Sequence, residues 1–595
     1  MINTITVRLP GSTSNSDTIV SDPYVYQPVP GGPSGIKDGG LTAQTGGYVT
    51  FDTRADPSVE VRVGLSFVSV AGARANLAAE SSGDSFDVVR GRAHDAWNRL
   101  LGRVRVGGGS AVDMRRFYTQ LYHALIHPST FSDADGRYAG FDGAVHRLTG
   151  RTQYADFSGW DTYRTQMPLI AMLAPHTASD MASSLVADAE QSGYLPKWSQ
   201  ANTHTHVMVG DPADPLIADA YAFGARDFDT AAALSAMVKG ATVYGKASTS
   251  PAYYERPGLP DYLARGYVPH ERNTEATEAT FLPPDFVWGT VSTTLEYALA
   301  DFSIARLAAA RCDRATYTTF MRRSGSWRNV FDPAVRYMQP RYSNGSFKRE
   351  DPSATEGFVE GSAGQYTLFV PHDPAGLFAA LGGRPAAAAR LDAFFKQLNA
   401  GPASPFGFLG NEPTLGTPWL YDWVGQPYKA QRIVRDALLT LYADTPDGMP
   451  GNDDLGAMSA WWVLGALGIY PAVPGMDVLA LGSPLFSSET VSLANGTLRI
   501  RAPRASEGTP YVQRLTVDGR RATRPWLRFG ALSRGGTLRF DLSAHPNTSF
   551  GSRPADAPPS FAPSSAPPQC RATTGPPGHK RAHRRRHRAP ARFTG

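Results

Sequence analysis

Residues 446–462 read PDGMPGNDDLGAMSAWW. The stretch opens as a Gly/Pro-rich turn and closes as the start of an apolar helix. Two acids, Asp453 and Asp454, stand at the junction. Read locally, this is a helix cap. Asp and Asn accept hydrogen bonds from the free N–H groups of a first turn and favour the positive end of the helix dipole. One acid suffices for that, so the second is free for other work, and the surrounding chain decides what that work is.

From about residue 95 to 470 the texture is helical. DMRRFYTQLYHALIH (113–127) spaces its apolar residues as a helix does, and so do 160–173, 179–190, 214–223, 228–239, 292–311, 314–334, 374–382, 386–397, 425–443 and 456–468. About a dozen helices joined by Gly/Pro-rich loops do not make a simple bundle, whose connections are short. They predict helices paired into an (α/α)6 toroid, with long loops forming a pocket at one rim. The flanks read as β. VEVRVGLSFVSV (59–70) alternates at period two and predicts a half-buried strand. TLRIRAP, YVQRLTVDG and GTLRFDLS, between 475 and 550, predict a small C-terminal β domain. Residues 551–595 are Pro/Ser/Arg-rich and predict a disordered tail.

Composition narrows the class. The 595 residues are 42% hydrophobic and 11% aromatic, which excludes a disordered chain. The net charge of +5 sits in the tail, where GHKRAHRRRHRAPARFTG carries one Lys and six Arg. Without it the chain is close to neutral, so charge gives no case for nucleic-acid binding. Two cysteines, Cys312 and Cys570, are too few for a disulfide framework or a Cys-based zinc site. Their settings, one helical and one in the tail, predict that they do not pair. No run of about 18 apolar residues predicts a transmembrane helix, and MINTITVRLPGSTSNSDTIV lacks the layout of a signal peptide.

Four loop-to-helix segments concentrate polar and aromatic residues. FSGWDTYRTQMP (157–168) places Asp161 and Arg164 three apart, on one helical face. NTHTHVMVGDPADP (202–215) offers His204, His206 and Asp211, without a third ligand at zinc spacing. ATEGFVEGSAGQYTLFVPHDP (354–374) sets Glu356 and Glu360 among Gly and aromatics, where a raised pKa suits a general acid. FLGNEPTLGTPWLYDW (408–423) holds Asn411 and Glu412, whose hard oxygens suit calcium.

These segments, with VSTTLEYALADFSIARLA and GNEPTLGTPWLYDWVGQPYKAQRIVR, occur in one order over roughly residues 55 to 550. In that order they resemble glycoside hydrolase family 92, the calcium-dependent exo-α-mannosidases. The resemblance implies the toroid flanked by β domains, and hydrolysis that inverts the anomeric centre. It implies Asp454 as the base that activates water and Glu360 as the acid that protonates the leaving oxygen. Asp453 then takes more of the capping and lines the sugar site with Trp160, Asp161 and Arg164. Calcium, held by Gln365, Asn411 and Glu412, is expected to chelate the cis O2 and O3 of mannose. The expected partners are mannose-containing glycans or glycoproteins.

By the same resemblance residues 1–92 are the last strands and linker of an N-terminal β-sandwich, 93–474 the toroid and 475–550 the C-terminal β domain. A pocket wall normally supplied by the full sandwich is expected to be open. The resemblance places the protein outside the cell or on its surface, whereas Met1 as the true start would place it in the cytoplasm. Three features depart from the family. EGSAGQY stands where many members read EGNxWQY, and NEPTLG where many read NEPSHH. The short QLNAGPASPFGFLG loop lacks a His-Glu pair associated with α-1,2 specificity. They leave the linkage open. Two other readings stand beside the mannosidase: an exo-glycosidase acting on another α-glycoside, and an inactive truncated protein that binds glycans.

Overall fold

A computed structural model describes residues 2–6, 19–23, 54, 58, 60–81, 83–249, 252–274 and 285–568. Most described residues between 70 and 470 lie in helices or their connecting loops. The helices include Ala111–His123, Gln166–Leu173, Pro175–Ser192, Ala213–Ala222, Thr230–Thr242, Thr290–Ala310, Arg314–Arg323, Pro374–Leu381, Arg384–Phe394, Pro427–Thr440 and Ala457–Ala466. Neighbours in sequence pack in pairs, Gln166–Leu173 on Pro175–Ser192 and Thr290–Ala310 on Arg314–Arg323.

Two helices are buried all round. Every residue of Ala457–Ala466 is buried, as is nearly every residue of Thr290–Ala310 up to Ala308. A helix apolar on all faces has no solvent side, so it must form the centre of the packing. The Trp461 and Trp462 indoles donate to Leu415 O at 2.9 Å and Leu438 O at 3.1 Å. Each buried ring therefore keeps its N–H satisfied. Both helices begin at loops with catalytic candidates beside them, so the loops rest on the most rigid part of the molecule.

The C-terminal β region holds two sheets. A six-stranded sheet runs, in spatial order, Arg520–Ala522, Tyr511–Val517, Gly536–Ser543, Gly496–Arg501, Ser488–Leu493 and Val104–Gly107. Its neighbours are antiparallel except Gly496–Arg501 with Gly536–Ser543. Leu538, Phe540 and Leu542 face the core and alternate with outward residues, as period two requires. A three-stranded sheet joins Ile469–Pro471, Val478–Leu481 and Trp526–Arg528. Val104–Gly107 shows that the β region is not confined to 475–550. A strand just ahead of the Ala111–His123 helix completes its edge.

The front of the chain differs from expectation. Residues 60–69 are extended or bent but pair with no described strand, and Val70 opens the helix Val70–Ser81. Gly64 lies on that helix, where a Cβ would meet Leu77 Cβ at 2.8 Å. Ser66 donates to Asp133 at 2.9 Å and Asn76 donates to Leu65 O at 2.8 Å. The alternation is real but inverted: Val61, Val63, Leu65 and Phe67 stand exposed, and the covered side is that of Gly64 and Ser66. Two short strands, Ile2–Thr6 and Ile19–Pro23, pair antiparallel, and the rest of residues 1–53 lies outside the described residues.

The tail also differs. Residues 551–568 are packed back across the helices. The Phe561 N–H donates to His372 O at 2.9 Å, and its ring meets Phe302 at 5.3 Å and the Arg306 guanidinium at 5.4 Å. Trp423 donates to Pro559 O at 3.2 Å, and Tyr317 to Ser565 O at 3.2 Å and Ala566 O at 3.1 Å. Proline-rich composition predicted disorder, but an extended chain that finds donors and an aromatic slot needs no secondary structure to be fixed. Residues 569–595 lie outside the described residues. Cys312 is disulfide-bonded, against the expectation of unpaired cysteines; Cys570 is outside the described residues.

Phe561→Ala is expected to lower the unfolding free energy by about 1–3 kcal/mol, the range for deleting a partly buried aromatic ring. The shift in urea midpoint measures it, and an unchanged midpoint would show that the strap adds no stability.

Candidate active site

The acids at 453 and 454 divide the two tasks. Asp453 Oδ1 accepts from Ser459 N at 3.0 Å, and its carbonyl accepts from Gly456 N at 3.1 Å and Met458 N at 3.2 Å. Asp453 is the cap. Asp454 and Leu455 carry φ of 47° and 54°, in the left-handed region that non-glycine residues avoid. Gly456 has φ 96°, and a Cβ there would lie 2.8 Å from Ala124 Cα. The conformation is held from outside. Gln166 Nε2 donates to His127 O at 2.9 Å and also to Leu455 O, and Thr165 Oγ1 donates to Ala457 O at 2.7 Å. Each such residue costs on the order of 1–3 kcal/mol, which persists only where the surroundings impose it.

Glu360 is held in the same way, at φ 50°. Val359 N donates to Ser292 Oγ at 3.0 Å, and Tyr366 OH donates to Val359 O at 2.7 Å. Asn411 Nδ2 donates to Glu360 O at 3.0 Å and to Glu360 Oε2 at 3.3 Å. Both catalytic candidates are half-buried, and both sit in strained backbone clamped by neighbouring helices.

Between them lies a floor of carboxylates. Asp161, Glu412 and Asp454 bring oxygens within 4.8 Å of one another. Asp161 and Glu412 are each 1% exposed, so neither gains from solvent. Ser158 Oγ donates to Asp161 Oδ2. Both oxygens of Glu412 lack a hydrogen-bond partner among the described residues. Burial, then the Glu360 and Asp453 charges, lifts the Asp454 carboxyl to about 6. Burial also lifts Glu360, against the Asn411 hydrogen bond. Asp161 is raised by burial and by Glu412 and Asp454; Glu412 is raised by burial and Asp454, with Arg164 opposing.

Arg164 is the nearby counter-charge. It is pinned beneath the floor, its Nε on Trp160 O at 3.0 Å and its Nη2 on Glu296 Oε1 at 2.8 Å. Its guanidinium packs over Trp160, Tyr163 and Phe369 at 4.6–4.9 Å from the ring centres. Glu296 also accepts from Trp160 Nε1 at 2.9 Å and Tyr163 OH at 3.1 Å.

The structure therefore brings Glu360, Asp454, Asp161, Glu412 and Asn411 together, with Asp453 at the adjoining helix end and Arg164 underneath. Trp160 has no exposed surface. It is buried in a cluster with Val209 and Val359, and so it does not face a sugar as expected. Gln365 does not join the carboxylates. Its Oε1 accepts from Ser362 N at 3.1 Å, and its Nε2 donates to Gly401 O at 2.9 Å and Phe406 O at 3.1 Å. It closes a capping box on the short helix Ala363–Tyr366 and ties down the 399–407 loop, which corrects its assignment as a metal ligand. Sequence reasoning missed Glu296, although a single acid in the otherwise uncharged run VSTTLEYALA was a usable signal. It also missed Trp288, half-buried beside Val359 and Trp160.

The donor set fits calcium. Glu412 offers two unpartnered buried oxygens, Asp161 and Asp454 converge on it, and all are hard ligands. No group of three metal-ligating side chains among the described residues includes His204 or His206. His204 instead stacks on Tyr253 at 4.1 Å.

Two carboxyls with lifted pKa on separate, strained loops above a cation-seeking floor are the apparatus of general acid–base chemistry. The chain belongs to glycosyl hydrolase family 92, whose catalytic domain matches residues 72–544. Among solved structures it is similar to the family GH92 α-mannosidase BT3965 from Bacteroides thetaiotaomicron, at 32% identity and a TM-score of 0.76, over 84% of this chain and 64% of that one. It is also similar to the family GH92 inverting mannosidase BT2199 from the same organism, at 31% identity and a TM-score of 0.77, over 86% and 70%. A protein of Arthroderma benhamiae described as an uncharacterized secreted glycosidase is 27% identical over 557 residues, 87% of this chain and 65% of that protein. The chain thus spans less than two thirds of the length of BT3965 and of the Arthroderma protein.

Glu296→Gln keeps the shape of the floor but removes the charge facing Arg164. Leaving a buried guanidinium without its partner is expected to cost about 3 kcal/mol. Guanidinium-chloride unfolding measures it, and a wild-type midpoint would show that Glu412 alone compensates Arg164.

Proposed function

We propose that this protein releases terminal α-linked mannose from glycans by single displacement with inversion. The observation that carries the reading is the pair Glu360 and Asp454, each in left-handed backbone, above the unpartnered carboxylate of Glu412. Glu360, whose carboxyl burial raises above its ordinary value, donates its proton to the departing glycosidic oxygen. Asp454, ionised near neutral pH, takes a proton from the water that attacks the anomeric carbon on the opposite face. Inversion requires the two carboxyls about 6.5–9.5 Å apart, leaving room for that water. Asn411 orients the acid, and the cap at Asp453 fixes the base. Asp161 offers its carboxylate to the outer hydroxyls of the terminal sugar, and Arg164 holds the floor's charge from beneath.

Glu412 and Asn411 are the holders of calcium in this reading, with Asp161 turned to the same point. When bound, the ion engages vicinal hydroxyls and favours a flattened ring, as a metal template does. The helical pairs are read as an (α/α)6 toroid whose rim loops carry the site. The description of the Arthroderma relative as secreted supports an extracellular location, and no helix of the described residues is long and apolar enough to cross a membrane. The names of BT3965 and BT2199 support mannose as the sugar.

Glu360→Gln and Asp454→Asn are each expected to lower turnover of unactivated mannosides at least about 100-fold, the scale of general acid–base work. A good leaving group should partly rescue Glu360→Gln but not Asp454→Asn, because only the acid assists departure. Equal rescue overturns the assignment, and release of the retained anomer, read by proton NMR, overturns inversion.

A chelator is expected to abolish activity, with calcium restoring it better than zinc. Glu412→Gln should raise the calcium concentration at half-activity. Full turnover by a chelated, metal-free sample would exclude a role for the ion.

A further inference from the structure

A second carboxylate group lies behind the pocket. Asp211, Asp214 and Glu255 bring oxygens within 4.8 Å of one another, and all three are 0–1% exposed. Arg256 takes one oxygen of each aspartate, its Nε on Asp211 Oδ2 at 2.6 Å and its Nη2 on Asp214 Oδ2 at 2.9 Å. Its Nη1 donates to Asp301 Oδ1 at 2.9 Å, and Arg323 donates to both Asp301 oxygens at 3.0 Å. Glu255 Oε2 accepts from Leu195 N at 3.0 Å. One oxygen per residue is left over. Asp211 Oδ1, Asp214 Oδ1 and Glu255 Oε1 are buried without a hydrogen-bond partner among the described residues.

An unpaired buried oxygen costs about 1–3 kcal/mol, and more when charged. A proton on one carboxyl satisfies two of the three oxygens, one as donor and one as acceptor, and leaves the third bare. A cation satisfies all three at once. The charges point the same way. The four acids Asp211, Asp214, Glu255 and Asp301 outnumber the bases Arg256, Arg323 and Lys197 around them. We propose that Asp211, Asp214 and Glu255 form a second, structural site for a hard cation of calcium's size. Oxygens bound to one calcium at about 2.3–2.6 Å reach separations near 5 Å, which accommodates this spacing.

The site is rigidly built. A Cβ on Gly240 would collide with the Glu255 carboxylate, so that acid lies against the backbone of the Thr230–Thr242 helix. It also abuts the pocket. A Cβ on Gly210, next to Asp211, would meet Glu296 Cβ at 2.5 Å, and Glu296 holds Trp160 and Arg164. An ion here would draw the 209–214 segment and the Glu255 turn together behind the sugar floor.

The test counts calcium bound to the full chain by plasma mass spectrometry, after loading with calcium and gel filtration in calcium-free buffer. Two equivalents are expected. Glu412→Gln should lose the one assigned to the pocket and keep the other, and adding Glu255→Gln should remove the second. In the Glu412→Gln protein a chelator should still lower the melting temperature by several degrees, and in the double variant it should not. Because the pocket ion is absent from that background, failure of the pocket assignment stays distinguishable. No calcium in Glu412→Gln together with a chelator-insensitive melting temperature would overturn the proposal and leave a shared proton as what holds the group. Should Glu255→Gln fail to fold, Asp214→Asn and the chelator response of Glu412→Gln decide the question.

Discussion

Like charges held close together out of water are the constraint on which this structure turns. Asp161, Glu412, Asp454 and Glu360 repel one another, and burial removes the solvent that would weaken the repulsion. A loose pocket would relieve this by spreading apart. The pocket here cannot, because the loops at Glu360 and Asp454 are clamped in left-handed backbone by partners from other segments. Gln166 and Thr165 hold the 454–457 turn, and Tyr366, Ser292 and Asn411 hold Glu360. Burial first, and mutual repulsion after it, raises the carboxyl pKa values of Asp161, Glu412 and Asp454.

That arrangement needs a stiff base, and the two solvent-free helices supply it. Ala457–Ala466 carries the Asp454 loop at its start, and Thr290–Ala310 contributes Glu296 and Ser292 from its first two turns. Glu296 fixes Arg164, and Arg164 places the nearby positive charge beneath Glu412. The counter-charge is kept under the floor and is oriented by three aromatic rings, so it tempers the acids without occupying the space a sugar would need. The same device recurs behind the pocket, where Arg256 and Arg323 are locked among Asp211, Asp214 and Asp301.

Much of this was legible in the chain, and the failures have physical causes. Most helix positions between 111 and 466 came through within a few residues because apolar spacing reports a buried face directly, but the expected 314–334 helix ends at Arg323, and Val70–Ser81, Phe86–Leu101 and Leu259–Arg265 were missed. The strands at Gly496–Arg501, Tyr511–Val517 and Gly536–Ser543 were legible for the same reason. Residues 59–70 misled because the face that packs carries Gly64 and Ser66, while the apolar Val61, Val63, Leu65 and Phe67 stand exposed. The tail misled because composition measures the capacity to build a core, whereas Phe561 needed only a slot in a core already built. Gln365 was misread although Ser362-Ala-Gly-Gln365 is a recognisable capping box. The local signal was outweighed by its place in a catalytic motif.

The departure at Gly364 has a steric explanation that ties these levels together. A Cβ there would stand 2.8 Å from Pro405 Cα and 3.0 Å from Pro352 O. The 399–407 loop therefore fills the volume that a side chain at 364 would take. Gln365 holds that loop through Gly401 and Phe406, and Ser362 Oγ donates to Ser404 O at 2.7 Å. Glycine at 364, serine at 362 and the loop closed by Pro405 thus fit one another as one packed unit. Substituting any one alone would leave either a void or a clash beside Glu360. The wall next to Glu360 is therefore made by loop backbone, standing where a side chain at 364 would otherwise be.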